Sequence, residues 1–184
     1  MISDIFRWTP GRFHTAAAAG CFDGSKVELL GGIVYRTTTN PPHMIAVHRL
    51  VDALGRIAPE PRWVVTKEDN VQLGRWLPLP DSSILRGPIE SYGIRLPRAA
   101  DIHLIAEVSD TTYAKDRGRK YRRYAAARIP IYWIVDLNRR RIEVHASPSG
   151  RRYLSEKLYL PGDDVPVVLR GTCLGSVAVA EILP

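Results

Sequence analysis

The sequence predicts an α/β protein with a mixed β-sheet core that is flanked by helices. Two observations lead to this prediction. Two apolar runs of strand length, residues 102–108 and 131–135, are separated by a stretch of helical length. A strand, a crossover helix and a second strand form a βαβ unit, in which the two strands run parallel. Two further strand-like runs around a turn at residues 148–150 then predict antiparallel strands in the C-terminal part.

The chain is expected to begin with a helix and a β-hairpin. An alanine-rich stretch at residues 10–22 starts with Pro10, which favours the first turn of a helix. Strand-like residues 26–30 and 33–35 flank Gly31-Gly32, a pair that is typical of a tight hairpin turn.

A second helix is predicted between Asn40 and Gly55. Asn40 precedes two prolines and can cap the helix, and a glycine is a common residue at a helix end. The apolar positions of this segment follow helical spacing and should face the core. They are Met44, Val47, Leu50, Val51 and Leu54.

The middle of the chain supplies the central elements of the predicted sheet. Residues 62–66 read as a strand, and residues 77–81 lead into a short strand through residues 84–85. The run 102–108 is the most apolar strand and is expected at the centre of the sheet. Thr111 or Thr112 should cap the crossover helix, which ends near Arg128 because Pro130 cannot continue it. The C-terminal strands are expected at residues 141–146 and 153–160.

Length and charge limit the classes of protein. A chain of 184 residues suits one domain, which we expect to span residues 1–184. The net charge of +7 favours an anionic partner such as nucleic acid, although many small domains are simply basic.

The cysteines and the apolar runs bear on the compartment. Cys21 and Cys173 are too few and too isolated for a disulfide framework or a zinc site. The first residues include Asp4 and lack the apolar stretch of a secretory leader, and no apolar run approaches the ~18 residues of a membrane span. We therefore expect a cytoplasmic protein without a membrane partner.

Glu107 is the most informative polar residue, because it lies inside the apolar run 102–108. A carboxylate in a buried strand is costly unless a cation compensates it; an arginine salt bridge is the structural alternative. Asp81, which follows Pro80, is expected on a neighbouring strand, although Pro-Asp alone is common in turns. Two carboxylates within a few ångströms of each other can hold Mg²⁺ or Mn²⁺ against a phosphate.

A lysine near these acids would orient the attacking water or stabilise the transition state. The helix after Ser109 runs back over the strand, and two of its lysines are candidates. Lys120 lies beside an aromatic stripe, Tyr113, Tyr121 and Tyr124, with Asp116 four residues earlier, and is preferred. Lys115 is the rival donor and lies nearer the strand end.

Motifs in the same order along nearly the whole chain resemble the Uma2 (DUF820) family, which is classed with bacterial endonucleases of the PD-(D/E)xK superfamily. The matching segments are residues 28–32, 42–43, 80–81, 106–109, 116–120, 124–125, 132–136, 162–169 and 179–182.

The resemblance implies a restriction-endonuclease-like fold with a metal-dependent site. Asp81 then takes the place of the motif aspartate, Glu107 that of the second acid, and both bind Mg²⁺ or Mn²⁺. Ser109 stands where the superfamily has its lysine, and Lys120 matches the lysine that the family supplies from the next helix.

Two further positions of the resemblance carry weaker expectations. Glu28 is a candidate for a secondary metal or water contact, against the reading of an ordinary edge-strand glutamate. His43 is a candidate for lining the cleft, against a role as a helix-cap or surface residue.

The predicted function is a metal-dependent endonuclease that acts on DNA, and a homodimer is expected if it makes double-strand breaks. The alternative is a nucleic-acid-binding or self-assembling module that keeps the fold without cleavage, because the motif lysine is displaced. A hydrolase for another phosphoester is the third reading.

Overall fold

The computed structural model describes residues 5–184, so Asp4 and its part in the expectation about a secretory leader lie outside the described residues. A six-stranded mixed sheet forms the centre of the structure, with its strands in chain order. Its strands are β3 (Trp63–Lys67), β4 (Ser82–Arg86), β5 (Ile102–Ser109), β6 (Ile131–Asp136), β7 (Arg141–Ser149) and β8 (Arg152–Tyr159). Two hairpins accompany it, β1 (Val27–Leu30) with β2 (Ile33–Arg36), and β9 (Asp164–Leu169) with β10 (Thr172–Ala178).

Strand β5 lies at the centre of the sheet, as predicted from its apolar composition. It pairs antiparallel with β4 and parallel with β6, which confirms the predicted βαβ unit. Strands β6, β7 and β8 then continue as an antiparallel meander. The predicted mixed α/β architecture with antiparallel C-terminal strands is therefore confirmed.

The two faces of β5 have different partners because side chains alternate along a strand. Leu104, Ala106 and Val108 pack into a core with helix α2 (Pro41–Ile57) and the β9–β10 hairpin. Ile105 points to the opposite face, where it packs against Tyr124 and its neighbours. Glu107 stands between Ala106 and Val108, so its side chain points to this second face, where its hydrogen-bond partners lie.

The crossover between β5 and β6 consists of three consecutive helical segments, which run from residue 113 to residue 126. They are α3 (Tyr113–Lys115), a π-helical turn (Asp116–Lys120) and α4 (Tyr121–Ala126). The helix predicted from Thr111 or Thr112 to near Arg128 is present, but its interior contains a π-helical turn. Thr112 precedes the first turn but its side chain makes no capping bond, and Arg128 has a positive φ of 59° that ends the helix.

The first two helices differ from their predicted bounds. Helix α1 (Pro10–Ala18) is capped by Thr9 and ends before residue 22, because Gly20 takes a left-handed φ of 74°. Helix α2 is capped by Asn40 as predicted, but it continues past Gly55 to Ile57.

The apolar face of α2 also needs one correction. Val47, Leu50 and Leu54 are buried as predicted, whereas Met44 is half exposed. Ala46 and Ala53 take part in the core instead, because small side chains let the helix approach the sheet closely.

A short helix, α5 (Val179–Ile182), follows β10 and packs against α2. Within residues 5–184, no helix is both long and apolar enough to cross a membrane.

Candidate active site

The β4–β5 register brings Asp81 and Glu107 to the same point of the sheet. Ser82 pairs with Ala106, so Asp81, one residue before β4, lies opposite Glu107. Directly opposite residues of an antiparallel pair point to the same face. Asp81 Oδ2 accepts a hydrogen bond of 2.7 Å from the backbone N–H of Val108, which fixes the carboxylate beside β5. The two predicted acids are therefore neighbours, as the sequence led us to expect.

Lys120 reaches the same point from the π-helical turn. Its Nζ donates to both carboxylate oxygens of Glu107, at 2.9 and 3.0 Å. The side chain is only 4% exposed, so the ammonium is held inside the protein. The phenol of Tyr124 completes the arrangement with a 2.6 Å hydrogen bond to Glu107 Oε1.

Lys115, the rival lysine, is connected to Glu107 only through Glu28 and Lys120. Its Nζ donates to Glu28 Oε1 at 3.0 Å, and its side chain is about one-third exposed. Glu28 Oε2 lies 3.1 Å from the Nζ of Lys120. Glu28 thus bridges the two lysines, and only Lys120 contacts Glu107 directly.

Asp116 has its own set of donors at the start of the π-helical turn. Its Oδ2 accepts hydrogen bonds from Ser109 Oγ at 2.8 Å and from Thr112 Oγ1 at 2.5 Å. Its Oδ1 is buried, has no hydrogen-bond partner among residues 5–184, and lies 3.9 Å from the Nζ of Lys120. The wide turn ends where the N–H of Tyr121 bonds to the carbonyl of Asp116, and both Asp116 and Lys120 are buried.

His43 approaches the site from the first turn of α2. Its Nε2 lies 3.3 Å from Asp81 Oδ2, and the side chain is 15% exposed. Burial alone would lower the pKa of His43, but the hydrogen bond and charge of Asp81 outweigh it and raise the pKa. The reading of His43 as a cap or surface residue is therefore replaced by that of a partner of Asp81.

Acidic side chains outnumber the lysines at the site. Glu28, Asp81, Glu107 and Asp116 surround the two lysines. Burial raises the pKa of Glu107 to about 8; the charges of Asp116, Asp81 and Glu28 add to this, while Lys120 opposes it.

The same excess of acids acts on the neighbours of Glu107. Burial would lower the pKa of Lys120, but Glu107 and Glu28 raise it above its ordinary value. Lys120 is therefore a cation at neutral pH. Burial also raises the pKa of Asp116, which Lys120 only partly offsets.

These residues fit a hard divalent cation. Carboxyl groups outnumber the lysines here, and Oδ1 of Asp116 accepts no hydrogen bond among residues 5–184. A divalent cation would offset the negative charge of these carboxylates. Within residues 5–184, no three His, Cys, Asp or Glu side chains form a ready metal cage. Mg²⁺ needs no such cage, because it keeps several waters and takes one or two protein carboxylates together with substrate phosphates.

A cavity of about 100 Å³ opens onto this site and is lined by Asp81, Glu107, Asp116, Lys115 and Lys120. Arg36 and a run of three threonines, residues 37–39, form its other wall. The cavity is small and polar, so it suits a phosphate group and its waters better than a large apolar ligand.

Comparison with known proteins places the chain in a family. The profile of the Uma2 family, described as "putative restriction endonuclease", matches residues 17–174. The chain belongs to the Uma2 family. A search of curated proteins finds no match to this Uma2 chain.

Solved structures support the fold of this Uma2 protein. A crystal structure titled as a "putative nuclease belonging to DUF820" from Anabaena variabilis superimposes with a TM-score of 0.65. The match covers 85% of this chain and 88% of that one, at 14% sequence identity. The likeness confirms the predicted fold class.

Sequence reasoning missed two contacts of the Uma2 site and undervalued a third residue. Tyr124 was seen only as part of an aromatic stripe, and the contact of His43 with Asp81 was not foreseen. Glu28 is fully buried, which corrects the reading of it as an ordinary edge-strand glutamate. The signal was present, because Glu28 stands in the apolar run Val27–Leu30 just as Glu107 stands in its own.

Proposed function

We propose that this Uma2 protein is a metal-dependent endonuclease that hydrolyses phosphodiester bonds of DNA. The observation that supports it best is the placement of Asp81 opposite Glu107, with the buried ammonium of Lys120 bonded to Glu107. Membership of a family described as restriction endonucleases points to the same reaction class. The net charge of +7 suits a polyanionic substrate.

Asp81 and Glu107 are proposed to hold Mg²⁺ or Mn²⁺, with the carbonyl of Val108 as a further ligand. When bound, the metal supplies positive charge at the phosphate and lowers the pKa of a coordinated water. Tyr124 and Lys120 hold the Glu107 carboxylate in one orientation through three hydrogen bonds.

The protonation state of Lys120 determines its proposed role. Its raised pKa keeps it an ammonium, so it does not accept a proton from the attacking water. It orients that water or a phosphate oxygen by donating a hydrogen bond and stabilises negative charge as it develops. His43 keeps the Asp81 carboxylate directed into the cavity.

A plasmid assay tests the proposal. Supercoiled DNA is incubated with the protein and Mg²⁺, Mn²⁺ or EDTA, and nicked and linear products are quantified. We expect cleavage only with metal, and a loss of at least about 100-fold in Glu107→Gln and in Asp81→Asn. Glu90→Gln changes charge in the same way at an exposed position and should keep full activity. Cleavage that survives in both site variants would refute the proposed site.

The second candidate function is a nucleic-acid-binding or self-assembling module without cleavage. One observation favours it: both oxygens of Glu107 already bind Lys120, as in a purely structural ion pair. DNA binding in a mobility-shift assay, with no nicking under any metal condition, would support this reading. Hydrolysis of a small phosphodiester such as bis-p-nitrophenyl phosphate, with none of DNA, would instead indicate another phosphoester substrate.

We also propose a homodimer and a cytoplasmic location. Each site cuts one strand, so a double-strand break needs two sites, and sedimentation should give twice the mass of one chain. Cys21 and Cys173 are both free thiols, which suits a reducing compartment.

A further inference from the structure

A second cavity lies away from the proposed active site, between a loop, a short 3-10 helix and the end of α4. Its volume is about 380 Å³, enough for on the order of ten waters at about 30 Å³ each. Its lining includes two arginines, Arg98 and Arg123, and the amide residue Gln72. The rest of the lining is Leu73, Gly74 and three alanines, so the cavity contains positive charge and no acid.

Arg123 is a half-buried cation without a counter-ion. One of its terminal nitrogens donates to the carbonyl of Leu73, and its guanidinium carbon lies 5.7 Å from the ring centroid of Trp76. Its Nε is buried and has no hydrogen-bond partner in the part of the chain that the structure describes. Burial lowers the pKa of Arg123, and among the described residues no carboxylate opposes that shift.

The backbone near Arg123 is shaped around the guanidinium. Gly74 has a φ of 65°, and a Cβ there would lie 2.9 Å from a terminal nitrogen of Arg123. A larger residue would press on the guanidinium, whereas glycine lets the loop pass against it.

Three other arginines of the described chain form ion pairs with carboxylates, unlike Arg98 and Arg123. Arg95 binds Asp101, Arg117 binds Glu143 and Glu156, and Arg141 binds Glu143. Arg98 and Arg123 form no ion pair with any carboxylate of residues 5–184, although they line one cavity. The half-buried charge of Arg123 is costly without a partner, and an anion bound in the cavity would reduce that cost.

We propose that this arginine cavity binds a phosphate group, either as inorganic phosphate or as part of a polynucleotide backbone. Guanidinium groups match phosphate oxygens with paired N–H donors, and Gln72 adds a neutral donor. The site is separate from the proposed active site. Arg98 precedes β5 by four residues, and Glu107 lies five residues beyond the first residue of β5, about 16 Å along a strand.

The test measures binding of inorganic phosphate to the full chain by isothermal titration calorimetry at low salt. Arg98→Gln is the decisive variant, because Arg98 is exposed and its loss should not affect folding. Arg123→Gln is the second variant. Arg122→Gln is the matched control, since Arg122 is an exposed arginine of α4 next to Arg123 that does not line the cavity.

We expect phosphate affinity to fall about tenfold or more in Arg98→Gln and Arg123→Gln and to stay within twofold in Arg122→Gln. The proposal is overturned if the unaltered protein does not bind phosphate, or if Arg98→Gln binds it as tightly as Arg122→Gln.

A second arm identifies the source of the phosphate. Binding of a short DNA duplex is measured in EDTA, which prevents metal-dependent cleavage, at several salt concentrations. The slope of the logarithm of the binding constant against the logarithm of the salt concentration is compared between variants. A decrease in the steepness of this slope by the amount of about one phosphate contact in Arg98→Gln, and not in Arg122→Gln, indicates a backbone phosphate. Unchanged duplex binding together with lost phosphate binding indicates free phosphate. The outcome does not depend on nuclease activity, so it is distinguishable from a failure of the proposed function.

Discussion

Glu28 Oε2 lies 3.1 Å from the ammonium of Lys120, which joins the β1–β2 hairpin to the π-helical turn through a buried ion pair. Glu28 also contacts Lys115 at 3.0 Å. Burial would raise the pKa of Glu28, but the two lysines outweigh burial and lower it. Because Lys120 in turn bonds to Glu107, the position of the lysine depends on a carboxylate from a separate hairpin.

The first prediction concerns the loss of this charge. Glu28→Gln keeps the shape of the side chain but removes the negative charge from between two lysines. We expect the free energy of unfolding to fall by about 1–3 kcal/mol, measured by urea denaturation followed by circular dichroism. Glu90→Gln, an exposed counterpart, should change stability by less than about 0.5 kcal/mol. Equal effects of the two substitutions would mean that Glu28 contributes no more than a surface charge.

A second prediction separates Lys120 from Lys115. Lys120→Met removes the only lysine that contacts Glu107, so we expect cleavage at saturating Mn²⁺ to fall by about 100-fold to 1,000-fold. Lys115→Met removes a partly exposed cation that contacts Glu28, and a loss of less than about tenfold is expected.

Circular dichroism of both lysine variants is needed as a control, because Lys120 is buried and its loss leaves unpaired carboxylates. A folded Lys115→Met protein that loses more activity than a folded Lys120→Met protein would reverse the assignment of the two lysines.

The spacing of apolar residues and the composition of the apolar runs were enough to predict the architecture around the site. The βαβ unit followed from two apolar runs with a helix between them, and the central position of β5 followed from its composition. The meeting of Asp81 and Glu107 was predicted as well, because two carboxylates that share a divalent cation must lie within a few ångströms of each other.

Other features depend on long-range contacts that a local pattern does not contain. The π-helical turn lies in a segment whose residues have ordinary helix propensity. The turn is explained by the buried contacts of Asp116 and Lys120, which the local sequence does not contain. The burial of Glu28 depends on lysines 87 or more positions away in the chain. Met44 is exposed although it follows the helical spacing, because the face of α2 that packs into the core includes Ala46 and Ala53 instead.

A third prediction uses two glycines with opposite surroundings. Gly87 follows β4, and a Cβ there would lie 1.8 Å from the carbonyl oxygen of Pro61, so Gly87→Ala forces the backbone apart. We expect a loss of about 1–3 kcal/mol, which lowers Tm by about 2–4 °C per kcal/mol in a chain of this size. Differential scanning fluorimetry is the measurement.

Gly55 is the control for the same change. It lies in α2 with no atom within 4 Å of an added Cβ, so Gly55→Ala should raise stability by about 0.5–1 kcal/mol. A lower Tm for Gly55→Ala, or an unchanged one for Gly87→Ala, would contradict this account of the two positions.

A fourth prediction concerns acid stability and a buried carboxylate outside the proposed site, Glu143 on β7. It accepts hydrogen bonds from Tyr113 at 2.7 Å and from Arg141 at 2.6 Å, and Arg117 Nε lies 3.1 Å away. Burial raises its pKa, but the donors His145 and Tyr113 and the charge and hydrogen bond of Arg141 outweigh burial and lower the pKa to about 2. Tyr113 and Arg117 belong to the helical segments that carry Lys120, so Glu143 ties those segments to the sheet.

The direction of the pH effect follows from the lowered pKa. The folded protein holds the ionised carboxylate more strongly than the unfolded chain, whose glutamate titrates near 4.5. The contribution to stability is therefore complete above pH 4.5 and is lost as the pH falls toward about 2. After allowance for solvent screening it should be on the order of 2 kcal/mol. Urea denaturation between pH 2.5 and 6 should show a difference between the unaltered protein and Glu143→Gln that shrinks as the pH falls. A difference that stays constant over this range would show that Glu143 contributes through its shape and hydrogen bonds and not through its charge.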